Sequence, residues 1–133
     1  MSQQNVVLIQ ALYAAFATGD VPTILGSMAD NIEWREADNF IYSGGNPYKG
    51  PAAVLAGVFM PLANEWDNFT VTPEAIHDAG DVIIMTGRYT GTYKATGKSL
   101  NAQAVHVWTV KDGKATKFQQ YTDTLQAAQV TNK

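Results

Sequence analysis

Three side chains in this sequence place a titratable group within or at the end of a predicted strand. In residues 32–36, Ile32, Trp34 and Glu36 alternate onto one face and Glu33 and Arg35 onto the other. A carboxylate in line with Ile and Trp is partly desolvated, which raises its pKa toward the range of a general base. The competing reading ends the strand at Arg35 and leaves Glu36 solvated in the following loop. His106 alternates with Ala102, Ala104, Trp108 and Val110 along a strand predicted over 99–110. These small or apolar neighbours suit a cavity wall, where an imidazole serves as donor or base near neutral pH. The alternative is a structural histidine packed against a partner subunit. Asp123 closes a strand predicted over 115–123. Strict alternation puts it with Lys117, Gln119 and Tyr121 rather than with the inward-looking Phe118, so reaching a cavity requires a bulge or bend. Its competing role is to cap the helix that follows.

Tyr13, Trp34, Tyr42, Phe59 and Trp108 are the candidates to line or cover a substrate pocket; aromatics at such spacings also serve as ordinary core. His77, beside a turn, and Arg88, in mid-strand, suit the surface or a subunit contact. The chain has no Gly-rich phosphate loop, no HExxH and no GxSxG. With no cysteine, and histidines only at 77 and 106, no metal site is expected. No cofactor is expected either, because proton transfer requires neither hydride nor electron carriers.

The elements that must position these groups follow from periodicity. Val6, Ile9, Tyr13 and Phe16 mark one face of a first helix, broadened by Leu8 and Leu12 and ended at Thr18-Gly19. Asp20 caps a second helix with Pro22 in its first turn, and Asp30-Asn31 is expected to break it. A short strand over 32–36 leads into a glycine-rich loop, 37–47, of a kind that often covers or binds. A third helix starts near Gly50-Pro51, and Pro61 within it predicts a kink or an early stop. From Trp66 on the period changes to 2, giving strands over 69–77, 82–93, 99–110 and 115–123 with turns at Ala79-Gly80-Asp81, Thr96-Gly97-Lys98 and Asp112-Gly113. A short helix over about 124–129 follows. Tight joints make the strands an antiparallel meander, and the upstream helices must cover its apolar face. A twisted sheet curling over helices leaves a gap, the expected pocket.

The 133 residues, 46% hydrophobic and 16% charged with a formal net charge of −3, fit one domain over 1–133 and argue against disorder and against a nucleic-acid partner. The first residues lack signal-peptide features and no apolar run approaches the ~20 residues needed to span a bilayer, so no membrane partner and a cytoplasmic location are expected.

The segments ALYAAFATGDVPTILGSMADNIEW, YKGPAAVLAGVFMPLANEW and AVHVWTVKDGKATKFQQYTDT, in this order, resemble the SnoaL-like family of the nuclear transport factor 2-like superfamily. The resemblance covers nearly the whole chain and implies a cone-shaped α+β fold, with a curved antiparallel sheet wrapped around three N-terminal helices. Ketosteroid isomerase, scytalone dehydratase and limonene epoxide hydrolase share that fold. By position, Glu36 resembles the carboxylate base of ketosteroid isomerase, with Glu for Asp. His106 resembles its oxyanion-stabilising acid, and SnoaL-type cyclases also carry a histidine in this region. Asp123 matches the acid–base aspartate of those cyclases, and Tyr13 lies one position from where ketosteroid isomerase has a catalytic tyrosine. No match to the Asp–Arg–Asp set of limonene epoxide hydrolase is found.

The resemblance implies acid/base proton transfer on a small, apolar, carbonyl-bearing molecule: isomerisation, cyclisation or dehydration, with Asp123, His106 and Glu36 catalytic. The fold also hosts proteins that only bind, so a ligand-binding or regulatory pocket is the alternative, and an interaction module a third. Family members commonly pair through the outer sheet face, here carrying Val105, Val107 and Thr109, and a homodimer is expected.

Overall fold

The computed structural model describes residues 2–132. Helix α1 (Ser2–Thr18) buries Ile9, Leu12, Tyr13 and Ala15. Gly19 turns the chain at φ +71°, a conformation side chains resist, and Asp20 caps α2 (Val21–Gly26) by accepting from the Thr23 amide at 3.3 Å.

The next element departs from expectation. Strand β1 (Met28–Arg35) begins before Asp30 and Asn31 and runs through them. Both residues are exposed, and they lie in the stretch where the pairing register shifts between Met28 and Glu33. The polar pair makes an irregularity within a strand rather than a helix end.

After the 36–47 loop come the two-residue β2 (Tyr48–Lys49) and the third helical region. This region is α3 (Pro51–Val54), a π-helical turn (Leu55–Phe59) and α4 (Met60–Glu65). The kink expected from Pro61 takes the form of that widened turn. Pro61 has no N–H to continue the α-helical ladder, and the π turn lets it enter α4 in the first turn, where none is needed.

Strands β3 (Trp66–Ala79), β4 (Val82–Tyr93), β5 (Ser99–Lys111) and β6 (Lys114–Thr122) form the expected antiparallel meander. Asp112 and Gly113, both at positive φ, make the two-residue β5–β6 turn. The sheet order is β2-β1-β6-β5-β4-β3, and β1 joins the meander parallel to β6. The six-stranded sheet is therefore mixed, curved and unclosed, with α1 and the third helical region across its concave face. Helix α5 (Thr124–Thr131) seals one end, packing Ala127 against Ala37 and Phe40. No helix among the described residues is long and apolar enough to cross a membrane.

Candidate active site

The concave face of the meander alternates as strands require. Ile83, Met85 and Tyr89 on β4, Ala102, Ala104, His106 and Trp108 on β5, and Phe118 and Gln120 on β6 are all buried. Register sets His106 opposite Met85 and Gln120, and Trp108 opposite Ile83 and Phe118. Tyr13, Tyr89 and His106 stand around a cavity of about 40 Å³. That is room for a few waters at most. Glu36, Tyr13, Tyr89, His106 and Gln120 supply its polar lining; Trp34, Phe59, Trp108 and Phe118 are among its apolar walls.

Beside the cavity, a groove of about 260 Å³ opens between the α1–α2 corner and α4 with β3. The side chains of Phe16, Phe59, Leu62 and Phe69 line both spaces and divide them. Phe59 ends the π-helical turn, so the irregular helix supplies part of this partition.

Glu36 follows the last residue of β1 and is only 2% exposed. Its backbone is clamped by the Asn46 side chain, which accepts from the Glu36 amide and donates to the Glu36 carbonyl, both at 2.8 Å. Oε2 accepts from Trp34 Nε1 at 3.2 Å. Burial pushes the carboxyl up to about 8, and the Trp34 bond offsets only part of that. Each reading of this residue holds in part: the strand does end at Arg35, yet the carboxylate is not in solvent.

His106 is 5% exposed and faces inward, not toward the outer sheet face. Nδ1 lies 2.6 Å from the Tyr13 hydroxyl and Nε2 in short contact with the Tyr89 hydroxyl. Trp108 Nε1 donates to Tyr13 at 2.9 Å, and Gln120 Nε2 donates to Tyr89 at 2.9 Å. Burial without a neighbouring anion pushes the imidazole down to about 3, so it is neutral. Burial also raises both tyrosines above their ordinary range, so both keep their protons.

Asp123 does not join this group. Strand β6 stops at Thr122, and the exposed Asp123 caps α5, accepting from the Gln126 amide at 3.0 Å. No bulge turns it inward; the helix cap takes the carboxylate instead. Tyr42 also lies outside the cavity. Its hydroxyl donates to Glu65 Oε1 at 2.5 Å and accepts from Trp66 Nε1 at 3.1 Å, fastening the loop to α4 and β3. Its neighbour Phe40 is the loop residue that lines the cavity. His77 is exposed, and Arg88 bonds Asn101 on the outer face.

Sequence reasoning does not single out Tyr89, Gln120 or Asn46. Tyr89 carries a signal, since it alternates with Ile83, Met85 and Gly87 on the inward face of β4. Gln120 alternates with Phe118, but a glutamine alone does not announce a buried network. Asn46 lies in a loop with no period, so its contact with Glu36 leaves no trace in the sequence. Among the described residues, no three His, Cys, Asp or Glu side chains converge as a metal site.

Residues 9–118 match the model of the SnoaL-like domain. The chain belongs to the SnoaL-like family. Solved structures agree. A nuclear transport factor 2-like protein from Burkholderia thailandensis E264 is 39% identical, with TM-score 0.91 over 96% of this chain and 97% of that one. TerC, crystallised with polyporic acid, is 25% identical, with TM-score 0.84 over 96% and 97%. A SnoaL-like protein of polyketide-cyclase type from Jannaschia sp. CCS1 is 17% identical, with TM-score 0.83 over 96% and 91%, and shows the shared fold. No functionally curated protein matches the chain in sequence.

Proposed function

We propose that this SnoaL-like protein is an enzyme that moves a proton next to the carbonyl of a small, mostly apolar molecule. The observation that carries the reading is one cavity holding Glu36, raised to about 8, together with the hydroxyls of Tyr13 and Tyr89. A carboxylate of that pKa is a strong enough base near neutral pH to abstract an activated C–H proton. With Oε2 held by Trp34, Oε1 is the oxygen free to take it. The C–H electron pair moves into the new C=C bond, the carbonyl oxygen becomes an enolate, and a tyrosine O–H donates to it. In a cavity this apolar, such a bond is worth more than in water. Returning the proton at another carbon completes an isomerisation; attack of the enolate carbon on a second carbonyl makes a ring. The substrate's carbonyl end occupies the cavity and its apolar body the groove, with the Phe16, Phe59, Leu62 and Phe69 side chains rotating aside. That TerC was crystallised with an organic acid supports a small-molecule role for a pocket of this fold.

The test is solvent exchange. Apolar ketones, from cyclopentanone to bicyclic enones, are incubated with the protein in deuterated buffer and their α-protons followed by NMR. Exchange above the buffer rate that disappears in Glu36→Gln is expected. Equal exchange in Glu36→Gln and the parent sinks the reading.

The second reading is ligand capture without turnover. It draws support from the aromatic wall, where Trp34 stacks on Phe118 at 3.7 Å and meets Phe59 and Trp108 edge-on, surfaces that give affinity without any base. Tryptophan fluorescence that responds to ketones exchanging no faster than in buffer selects it.

We also propose pairing through the outer sheet face, where Val105 and Val107 stand beside Tyr121, which is 56% exposed. A monomer mass by sedimentation at micromolar concentration overturns it.

A further inference from the structure

The buried network around His106 obeys a count of hydrogens. Trp108 Nε1 can only donate, and it donates to the Tyr13 oxygen. The Gln120 amide is oriented by the backbone: its Oε1 accepts from the Ala37 N–H at 3.0 Å, so its NH₂ faces the Tyr89 oxygen. Each tyrosine oxygen therefore already accepts one N–H. His106 links to both tyrosines, through Nδ1 to Tyr13 and Nε2 to Tyr89, and each link holds one hydrogen. Two hydroxyls and one neutral imidazole bring three hydrogens to two links. One is left over, and it is always on the tyrosine that accepts from the imidazole.

We propose that the tautomer of His106 decides whether Tyr13 or Tyr89 presents a free hydroxyl hydrogen to the cavity. The trio is then a donor with two interchangeable positions, suited to a ligand with one strong oxygen acceptor such as a carbonyl, enolate or phenolate. With the proton on Nε2, the ring donates to Tyr89, the Tyr89 hydrogen is free, and Tyr13 donates to Nδ1. With the proton on Nδ1, the roles reverse. The interchange needs no net proton: one hydrogen passes from Tyr13 to Nδ1 and one from Nε2 to Tyr89. The former free hydrogen of Tyr89 returns to Tyr13 through a water, for which the cavity is large enough. His106 is thus a positioning residue. It does not touch the substrate; it chooses which tyrosine does. This inference stands on the hydrogen count and holds whether the pocket turns over a ligand or only binds one.

Nitrogen NMR of histidine-labelled protein at pH 7 tests it, with His77→Gln assigning the signals. In Tyr13→Phe, Trp108 loses its acceptor and Nδ1 its partner, so a lone pair at Nδ1 and a proton on Nε2 are expected. In Tyr89→Phe, the freed Gln120 N–H favours a lone pair at Nε2, and the proton is expected on Nδ1. Each variant should favour its tautomer by at least about tenfold, as the cost of one unsatisfied buried polar group requires. The same tautomer in both variants, or a doubly protonated ring, overturns the proposal. The parent gives a test that needs no substitution. With 4-nitrophenolate bound, as monitored by its absorbance, the ring should be in a single tautomer; a mixture of tautomers or a doubly protonated ring with the probe bound also overturns it.

Discussion

Glu36 and His106 sit in one cavity at nearly equal burial, yet they are built in opposite ways. His106 lies mid-strand on β5, and each ring nitrogen meets a hydroxyl that is itself anchored by an N–H donor. Glu36 lies just past a strand end and has one side-chain bond to its carboxyl, from Trp34. Desolvation makes both groups neutral near pH 7, by raising the acid and lowering the base. The consequence differs. The imidazole is satisfied as it stands and is neutral across the working range of pH, whereas the carboxyl can be ionised within that range. A well-partnered buried group positions; an under-partnered one is available for chemistry.

The largest effect expected to sharpen this contrast is on ketone exchange. Glu36→Gln should lose the general-base contribution, roughly 10²–10⁴-fold, while His106→Asn loses far less because the tyrosine hydroxyls remain. In the parent, exchange should rise with pH and reach half its maximum near pH 8, as the base form accumulates. Equal losses in the two variants would break the division between base and positioner.

Stability against pH comes next. The folded protein holds the Glu36 proton between its ordinary 4.5 and about 8, and the unfolded chain does not. This contribution is therefore complete below pH 4.5 and is lost as pH rises through 8. The unfolded chain holds the His106 proton between about 3 and the ordinary 6.5, and the folded protein does not. That contribution is complete above pH 6.5 and is lost as pH falls through 3. Between 4.5 and 6.5 the two slopes have opposite sign and offset. Urea unfolding should thus show a plateau near pH 4.5–6.5 with a decline on either side. Glu36→Gln should remove the alkaline decline, on the order of a few kcal/mol. A decline that survives this substitution would show that another group titrates there.

Asn46→Ala should cost about 1–3 kcal/mol in urea unfolding, since it strips both partners from the Glu36 backbone. It should also lower the pH at which exchange reaches half its maximum, because a loosened carboxyl gains water. The smallest effect belongs to Asp123. Asp123→Ala should cost about 1 kcal/mol as a lost helix cap and leave exchange unchanged. A loss of exchange as large as that of Glu36→Gln would return Asp123 to the site.

The meander, its turns, the first helix, the capped start of the second and the inward faces are legible in the amino-acid sequence alone. Alternation at 82–93 and 99–110 is a local property, and burying one face of a strand fixes which residues point inward. Alternation places His106 and Trp108 inside and sets Phe118 against Asp123. Family likeness alone brings Asp123 to the site, against its own alternation, and the structure sides with alternation. Glu36 is ambiguous for the converse reason: beyond a strand end, period no longer dictates direction.

What the sequence by itself determined is the set of faces, because side-chain direction in helices and strands is dictated every two or 3.6 residues. What only the tertiary structure decided is which polar groups meet. Tyr13 and His106 are 93 residues apart and Ala37 and Gln120 are 83. The parallel pairing of β1 with β6 carries Glu36 and Ala37 to Gln120, and the closure of α1 over β5 brings Tyr13 to His106. Such meetings depend on how whole elements dock, and no periodicity within one segment encodes its partner.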